Sequence, residues 1–169
     1  ELLDHEHFQA NELNANRLKL LNHLIPENYT SNFDGTDSSQ FDRKYDRILI
    51  DAPCTGLGAL RRRPEARWRK SQNDLKELIK IQRDLISSAY KMLKPNGIIG
   101  YATCSPHLLE TKVQVADALN RFKDLELISI GALESKYHKG LQPDGTMQLW
   151  THRDQTDSMF LALMKLRND

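Results

Sequence analysis

Long apolar runs are missing from this chain of 169 residues, and cysteine is scarce. No apolar stretch approaches the roughly 20 residues that a membrane-spanning helix requires, and the mean hydropathy is −0.61. The chain contains only two cysteines, which excludes the disulfide-rich scaffold of a small secreted protein. No signal peptide is expected, and no internal repeat or low-complexity tract is recognisable. These absences predict a cytoplasmic globular protein, and the length fits one domain.

The chain also lacks an excess of charge of either sign, because its net charge is only +1. Its distribution is uneven, however, since residues 61–70 hold six basic side chains against the single acid Glu65. The basic residues are Arg61, Arg62, Arg63, Arg67, Arg69 and Lys70. Most charge runs are solvated loops, but Trp68 places an aromatic side chain among these bases. Local basicity of this kind therefore says more about binding partners than the total charge does.

Hydrophobic periodicity predicts strands that alternate with helices along the chain. The predicted strands are residues 8–10, 29–33, 47–51, 98–101, 125–130 and 158–165, and the predicted helices are residues 11–24, 71–93 and 105–122. Because strand–helix–strand units join parallel neighbours, this order implies an α/β domain with a mainly parallel sheet.

Capping residues mark the predicted helix boundaries. Ser71 with Asp74 resembles a capping box, and the turn sequence that starts at Lys94 is expected to end that helix before the next strand. Ser105 as N-cap and Pro106 at the first helical position are expected to open the third helix. The first helix has an apolar face formed by Leu13, Leu20, Leu21 and Leu24.

Each of the two cysteines follows an apolar run that is predicted to be a buried strand. Cys54 comes three residues after the strand at 47–51, and Cys104 comes three residues after the strand at 98–101. Open α/β sheets build their active sites at the carboxyl ends of strands, so the thiols face one cleft if the strands are adjacent. The alternative is that each cysteine packs as a small buried hydrophobe. No metal site is predicted, because two cysteines without paired histidines do not supply four ligands.

The segments around both thiols resemble the Sun/RsmB (Fmu) family of RNA cytosine-5 methyltransferases. The matching segments are Asp51-Ala52-Pro53-Cys54-Thr55-Gly56-Leu57-Gly58, then Leu60 to Trp68, then Tyr101-Ala102-Thr103-Cys104-Ser105, and a closing motif from Gln148 to Phe160. They occur in the family's order and cover nearly the whole chain. The resemblance implies a Rossmann-like class I methyltransferase fold, with a mainly parallel sheet and an antiparallel last strand.

The resemblance also implies covalent catalysis. Carbon 5 of cytosine is too weak a nucleophile to take a methyl group unaided, but a thiolate added to carbon 6 turns the ring into a reactive enamine. By resemblance Cys104 is this nucleophile, and Cys54 assists release of the methylated base. Asp51 corresponds to the acid that contacts the cytosine ring at nitrogen 3. A polar or electropositive setting is expected around Cys104, since the thiolate must form near neutral pH.

The cofactor that the resemblance implies is S-adenosylmethionine. Glu12 and Asp34 follow predicted strands, and an acid at such a strand end commonly accepts hydrogen bonds from ribose hydroxyls. By resemblance Glu12 would hold the ribose and Asp34 the adenine amino group, with Asp51 and Pro53 also at the cofactor. Taken alone, exposed acids are usually solvated charges.

The substrate that the resemblance implies is RNA, expected to be ribosomal RNA. Arg61, Arg62, Arg63, Arg67 and Lys70 follow the Cys54 segment and are predicted to contact phosphates, which supply affinity without sequence information. The target cytosine must be unpaired or extruded to be reached, so a single-stranded or loop region is expected. Neither a metal nor a membrane partner is expected.

Parts of the family's catalytic domain are expected to be absent. The chain begins at Glu1 without an initiator methionine, and its first glycine is Gly35. The family's first strand, its glycine-rich cofactor loop and its N-terminal RNA-binding region are therefore not recognisable. Residues 1–169 are interpreted as a partial catalytic domain, which by itself is expected to be inactive and to bind S-adenosylmethionine weakly or not at all.

Two other functions fit parts of the sequence. A non-catalytic RNA-binding fragment would use the arginine run without the chemistry, and methyl-transfer assays with a Cys104→Ala control distinguish it from an enzyme. A thiol redox protein would use both cysteines, but the chain has no C-x-x-C motif and the arginine run would then be unexplained.

Overall fold

The computed structural model describes residues 8–69, 71–132 and 140–168. Two compact units make up the chain, Glu1–Asp42 and Arg43–Asp169. The second unit is the larger and contains both cysteines and the arginine run.

The first unit contains two short strands and one helix. Strand β1 (Ala10–Asn11) pairs in parallel with β2 (Thr30–Ser31), and helix α1 spans Ala15–Asn22. The helix begins four residues later than its predicted start at residue 11. The reason is that the Asn14 side chain accepts hydrogen bonds from the backbone N–H groups two and three residues further on, and so acts as the N-cap.

The predicted apolar face of α1 is open to solvent. Leu13, Leu20 and Leu24 are 63%, 68% and 83% exposed, and no residue within α1 itself is buried. Inside this unit the helix accompanies only a two-stranded sheet, which offers too little apolar surface to bury a helical stripe.

In the second unit the described residues form a five-stranded sheet with the order β3-β4-β7-β5, and β6 also pairs with β7. The strands are β3 (Tyr45–Asp51), β4 (Leu93–Thr103), β5 (Leu125–Ile128), β6 (Met147–Leu149) and β7 (Met159–Leu166). Strands β3 and β4 are parallel, whereas β7 is antiparallel to β4, β5 and β6. Four strands of this sheet therefore share one direction, which confirms the predicted sheet with an antiparallel last strand.

Helix α3 (Gln72–Met92) connects β3 to β4 and confirms the predicted capping box. The Ser71 hydroxyl accepts a hydrogen bond from the backbone N–H of Asp74, and the Asp74 carboxylate accepts one from the backbone N–H of Ser71. The remaining helices are α2 (Ala66–Arg69), α4 (Lys112–Arg121) and α5 (Thr151–Asp154).

The core of the second unit lies between the central strands and helices α3 and α4. Ile99 and Tyr101 on β4, and Phe160 and Met164 on β7, are completely buried. Ile86 on α3 is also completely buried, and it belongs to the same cluster. Burying side chains of this size contributes about 1.5–3 kcal/mol each, so the core fixes the strand ends that carry the cysteine segments.

The passage from α3 to β4 differs from the prediction. The helix ends at Met92 and the strand begins at Leu93, so the Lys94–Gly97 segment belongs to the strand and is not a separate turn. This part of β4 is irregular, because its register with β3 shifts and Asn96 has a φ of 62°. The predicted break between helix and strand is thus present only as an irregularity at the start of β4.

The start of α4 also differs from the prediction. The helix begins at Lys112, not at Pro106, and a 3₁₀ turn at Leu108–Glu110 precedes it. Ser105 does not cap a helix, since its hydroxyl donates to the Glu110 carboxylate at 2.6 Å and accepts from the backbone N–H of His107 at 3.1 Å. The helix start predicted from Ser105 and Pro106 was therefore wrong.

Candidate active site

Both thiols lie at the carboxyl ends of two neighbouring strands. Asp51 at the end of β3 is in register with Ala102 on β4, and the strands are parallel. The chain beyond each strand carries one cysteine, and the Sγ atoms of Cys54 and Cys104 are 3.2 Å apart. Both are free and half-buried. The predicted adjacency of the thiols is confirmed, and neither thiol is a fully buried hydrophobe.

The contact between the two sulfurs makes them chemically different. A hydrogen bond from the Cys54 thiol lowers the pKa of Cys104 to about 7, although burial and the Asp51 charge oppose this shift. The same contact, together with burial, raises the pKa of Cys54. Near pH 7 about half of the Cys104 side chains are therefore thiolates, whereas Cys54 keeps its proton. The expected polar setting of Cys104 is provided chiefly by the neighbouring thiol.

The pH dependence of thiol alkylation tests this assignment. We expect iodoacetamide to alkylate Cys104 at a rate that increases with pH and is half-maximal near pH 7, because only the thiolate reacts. Cys54→Ala removes the hydrogen-bond donor, so the midpoint should rise toward about 8.5, the value of an ordinary thiol. Peptide mass spectrometry after timed quenching measures both rates. Equal midpoints in the two proteins would contradict the assignment.

Asp51 and Pro53, the two residues predicted to contact the cofactor from this segment, are both exposed. The Asp51 carboxylate is near enough to Cys104 for its negative charge to raise the pKa of that thiol. The Pro53 carbonyl accepts a hydrogen bond of 2.8 Å from the side chain of Gln82, a completely buried residue of α3. The helix thus anchors the segment from the protein interior, while Asp51 remains accessible beside the thiols.

Two glycines after Cys54 meet different backbone requirements. Gly56 adopts a φ of 71°, in the left-handed region, and has open space where a Cβ would be. Gly58 is buried between two chain segments: its N–H donates to the Cys104 carbonyl at 2.9 Å, and its carbonyl accepts from the Ser158 N–H at 3.0 Å. The absence of a side chain at Gly58 therefore lets the backbone of the Cys104 segment and of Ser158 approach it closely.

The first three arginines of the basic run act electrostatically on one carboxylate. Arg62 pairs with Asp157, its Nε lying 2.8 Å from Oδ2, and this bond lowers the pKa of Asp157, with smaller contributions from Arg61 and Arg63. The negative charge of Cys104 is one of the causes that raise the pKa of Arg62. The guanidinium group is consequently within electrostatic reach of the candidate nucleophile.

The second part of the run presents an aromatic ring to solvent. Trp68 is 83% exposed, and the exposed Arg67 places its guanidinium carbon 5.4 Å from the centre of the indole ring. Arg61 and Arg63 are also exposed. Lys70, which the sequence also assigned to RNA contacts, lies outside the described residues.

The two acids predicted to hold the cofactor belong to the first unit, each just beyond the end of a strand. A Glu12 carboxylate oxygen accepts from the Asn14 N–H at 2.8 Å. One Asp34 oxygen accepts from the backbone N–H and the hydroxyl of Thr36, at 2.9 and 2.7 Å. Strands β1 and β2 pair side by side, so both acids lie at the carboxyl end of the same small sheet.

A buried acid beneath the thiols was not identified from the sequence. Glu110 is completely buried, and its carboxylate accepts hydrogen bonds from Thr55 and Ser105, the residues that follow the two cysteines. Periodicity placed Glu110 in the first turns of a helix, where an acid is ordinarily exposed. The signal that could have drawn attention to it is a hydroxyl residue directly after each cysteine.

Two absences hold for the part of the chain that the structure describes. It contains no group of three or more His, Cys, Asp or Glu side chains that could hold a metal ion. It also contains no helix that is long and apolar enough to cross a membrane.

The sheet and its flanking helices define a Rossmann-like α/β methyltransferase fold. The crystal structure of NSun6 from Pyrococcus horikoshii, determined with SFG, has a TM-score of 0.78 to this chain at 23% identity, covering 95% of this chain and 41% of that one. At this identity the likeness shows the fold alone.

Sequence comparison identifies the family. The family model described as 16S rRNA methyltransferase RsmB/F matches residues 3–165, and this chain belongs to that family. The resemblance drawn from the two cysteine segments is thereby confirmed.

Two curated relatives illustrate the similarity. A Mycobacterium tuberculosis protein named "Putative methyltransferase" is 49% identical over 127 residues, which are 75% of this chain and 28% of the relative. Ribosomal RNA small subunit methyltransferase B from Pectobacterium carotovorum is 35% identical over 120 residues, 71% of this chain and 26% of the relative. The chain thus spans about a quarter of the length of the curated relatives it matches.

Proposed function

We propose that this chain carries the base-handling part of the active site of an S-adenosylmethionine-dependent RNA methyltransferase. The proposed product is 5-methylcytosine, in ribosomal RNA. The observation that carries the proposal is the cysteine pair at the ends of two parallel strands, with sulfurs 3.2 Å apart and the Cys104 pKa lowered to about 7. Such a pair supplies a nucleophile and a second, protonated thiol at one point of the surface.

The first proposed step is addition of the Cys104 thiolate to carbon 6 of the cytosine. A bond forms between Sγ and carbon 6, and the electron pair of the 5,6 double bond moves into the ring, which makes carbon 5 nucleophilic. The lowered pKa of Cys104 supports this role, because the group must be ionised before it attacks.

Asp51 is proposed to steady the ring during this addition. Negative charge develops at nitrogen 3 as the sulfur adds to carbon 6, and a carboxyl group that donates its hydrogen to that nitrogen neutralises this charge. The exposed Asp51 lies beside the thiols, since its charge acts on Cys104. This supports assigning Asp51 to the base as well as to the cofactor side of the site.

Cys54 is proposed to act last, in release of the product. Its raised pKa comes first from the contact with the Cys104 sulfur. Once Cys104 is bonded to carbon 6 it is a neutral thioether, so that cause disappears and Cys54 can ionise more readily. The Cys54 thiolate can then take part in removing the proton from carbon 5, after which the bond from Sγ of Cys104 to carbon 6 breaks.

The acids of the first unit fit the proposed cofactor. Glu12 and Asp34 each use one carboxylate oxygen in a local hydrogen bond, and the other oxygen can accept from a ribose hydroxyl or an adenine amino group. Asp51 and Pro53 are proposed as cofactor contacts on the strength of the family resemblance alone. When bound, S-adenosylmethionine supplies an electrophilic sulfonium methyl group for carbon 5.

The arginine run is proposed as the phosphate-binding surface for the RNA. Arg61, Arg63 and Arg67 are exposed, and Arg62 is held by Asp157 within electrostatic reach of Cys104. Trp68 offers an exposed ring on which an unpaired base can stack. Lys70 is included in the proposed surface on the strength of the sequence alone.

Transfer of a labelled methyl group tests the proposal. Because residues 1–169 alone are expected to be inactive, the assay uses a protein that also supplies the family's first strand and glycine-rich loop. This protein is incubated with labelled S-adenosylmethionine and unmodified 16S ribosomal RNA, and the RNA is digested to nucleosides. We expect the label in 5-methylcytidine, with none from the Cys104→Ala control. Retention of RNA without any label transfer would instead indicate a non-catalytic RNA-binding protein, and label in another nucleoside would exclude the cytosine chemistry.

A further inference from the structure

The carboxylate of Glu110 is buried beneath the two thiols and accepts four hydrogen bonds. Oε1 accepts from the Thr55 N–H at 2.8 Å and from the Gln82 side-chain amide at 3.2 Å. Oε2 accepts from the Thr55 hydroxyl at 2.5 Å and from the Ser105 hydroxyl at 2.6 Å. All four partners can donate, which matches the accept-only chemistry of a carboxylate.

These bonds connect the two cysteine segments through a single side chain. Thr55 directly follows Cys54, and Ser105 directly follows Cys104. Both hydroxyls bond to the same oxygen of Glu110. Moving the two segments apart must therefore stretch at least one of these bonds.

The carboxylate is held in place by its own surroundings. The Tyr101 hydroxyl, completely buried on β4, donates to the backbone carbonyl of Glu110 at 2.8 Å. Gln82 on α3 contacts both the carboxylate and the Pro53 carbonyl. A buried charge that loses a donor is strongly destabilised, so the cluster resists distortion.

The charge of Glu110 opposes ionisation of Cys104. It is among the causes that raise the pKa of that thiol, as is the Asp51 charge, whereas the hydrogen bond from Cys54 is the largest cause and lowers it. The negative charge of Cys104 also contributes to raising the pKa of Arg62, a basic residue. Glu110 is thus unsuited to activating the nucleophile through its charge, and its benefit to the site must be geometric.

We propose that Glu110 is a positioning residue that sets the separation of the Cys54 and Cys104 sulfurs by bonding to Thr55 and Ser105. The importance of this separation for methyl transfer rests on the proposed function. The geometric role itself concerns only the thiols and can be measured without RNA or cofactor.

Two variants and one matched control test the proposal. Glu110→Gln removes the charge and replaces one acceptor by a donor, while keeping the size of the side chain. Thr55→Val removes only the hydroxyl donor and leaves the charge of Glu110 in place. The control is Thr146→Val, which removes a buried threonine hydroxyl that bonds to Asp144 at 2.6 Å, away from both cysteine segments.

The first readout is the rate at which diamide closes the Cys54–Cys104 disulfide. Diamide takes one hydrogen from each thiol on to its N=N bond and becomes a hydrazine, while the sulfurs join. The chain's only two cysteines make the loss of two hydrogens unambiguous by mass spectrometry. We expect Glu110→Gln and Thr55→Val to slow closure about tenfold or more, since small misplacement of reacting groups has effects of this size, and Thr146→Val to leave it nearly unchanged.

The second readout is the pH midpoint of Cys104 alkylation, which separates geometry from charge. If Glu110 acted only through its charge, Glu110→Gln would lower the midpoint. If it positions the thiols, the variant weakens the hydrogen bond from Cys54 and the midpoint rises, as it should in Thr55→Val. A lowered midpoint in Glu110→Gln, or closure rates in both variants equal to that of Thr146→Val, would overturn the proposal. If Glu110→Gln fails to fold, Thr55→Val against Thr146→Val decides the question.

Discussion

Cys54→Ala is expected to accumulate a covalent protein–RNA adduct, whereas Cys104→Ala is expected to form none and to lose methyl transfer by about 10⁴-fold or more. The structure accounts for the difference between two thiols that are only 3.2 Å apart. Cys104 is the sulfur whose pKa is lowered, and Cys54 is the sulfur that stays protonated while Cys104 is free. Loss of the first removes the nucleophile, and loss of the second leaves addition possible but impairs release.

Denaturing gel electrophoresis of labelled RNA measures the adduct, which persists as a slowly migrating band. The double variant with alanine at both positions is the control, and it should show no adduct. Adduct formation by Cys104→Ala but not by Cys54→Ala would reverse the roles proposed for the two cysteines. Since Cys54→Ala also raises the expected pKa of Cys104, its adduct should form more slowly near neutral pH and approach the normal rate at higher pH.

Gly58→Ala is expected to lower the free energy of unfolding by about 3 kcal/mol, because the structure leaves no room for a methyl group. A Cβ at this position would lie 2.1 Å from the Ser158 carbonyl oxygen and 2.8 Å from that of Cys104. Both obstacles are backbone atoms, so relief requires movement of a whole chain segment. The same movement would break the hydrogen bonds by which Gly58 joins the Cys104 segment to Ser158.

Gly56→Ala is the matched control, two residues away in the same segment. Its Cβ would meet no atom within 4 Å, but the residue has a φ of 71°, so the expected loss is about 1–2 kcal/mol from backbone strain alone. Urea denaturation followed by circular dichroism measures both variants. A loss in Gly58→Ala no greater than that in Gly56→Ala would show that the segments separate easily, contrary to the tight contact described here.

Local signals predicted the elements that depend on local chemistry. The capping box at Ser71 and Asp74 is present. The antiparallel last strand is also present, but the family resemblance implied it, and the parallel pairing of β3 and β4 was only a condition for the two thiols to meet. The predicted helix boundaries were less accurate where a side chain forms a hydrogen bond that the sequence pattern did not reveal. Ser105 bonds to Glu110 and so does not start a helix, and α1 starts after Asn14.

The candidate site was predictable only to the level of its residue types. Cys54, Cys104 and Asp51 follow apolar runs, and the carboxyl ends of parallel strands meet at one edge of a sheet. The different roles of the two thiols were implied by the family resemblance alone. The sequence could not give their pKa values, because a pKa depends on which groups come within a few ångströms. Glu110 could not be found in this way, because its burial arises from segments 55 residues apart in the chain.

The sequence by itself determined the family of this chain and most of its strand–helix order, and the family resemblance proposed Cys104 as the nucleophile. These follow from short motifs and from hydrophobic periodicity, both of which depend on residues that are close together in the sequence. Only the tertiary structure decided that the sulfurs touch, that Gly58 lies against protein backbone, and that one buried carboxylate joins both cysteine segments. The physical reason is that distances, burial and hydrogen bonds between remote residues exist only once the sheet has brought the strand ends together.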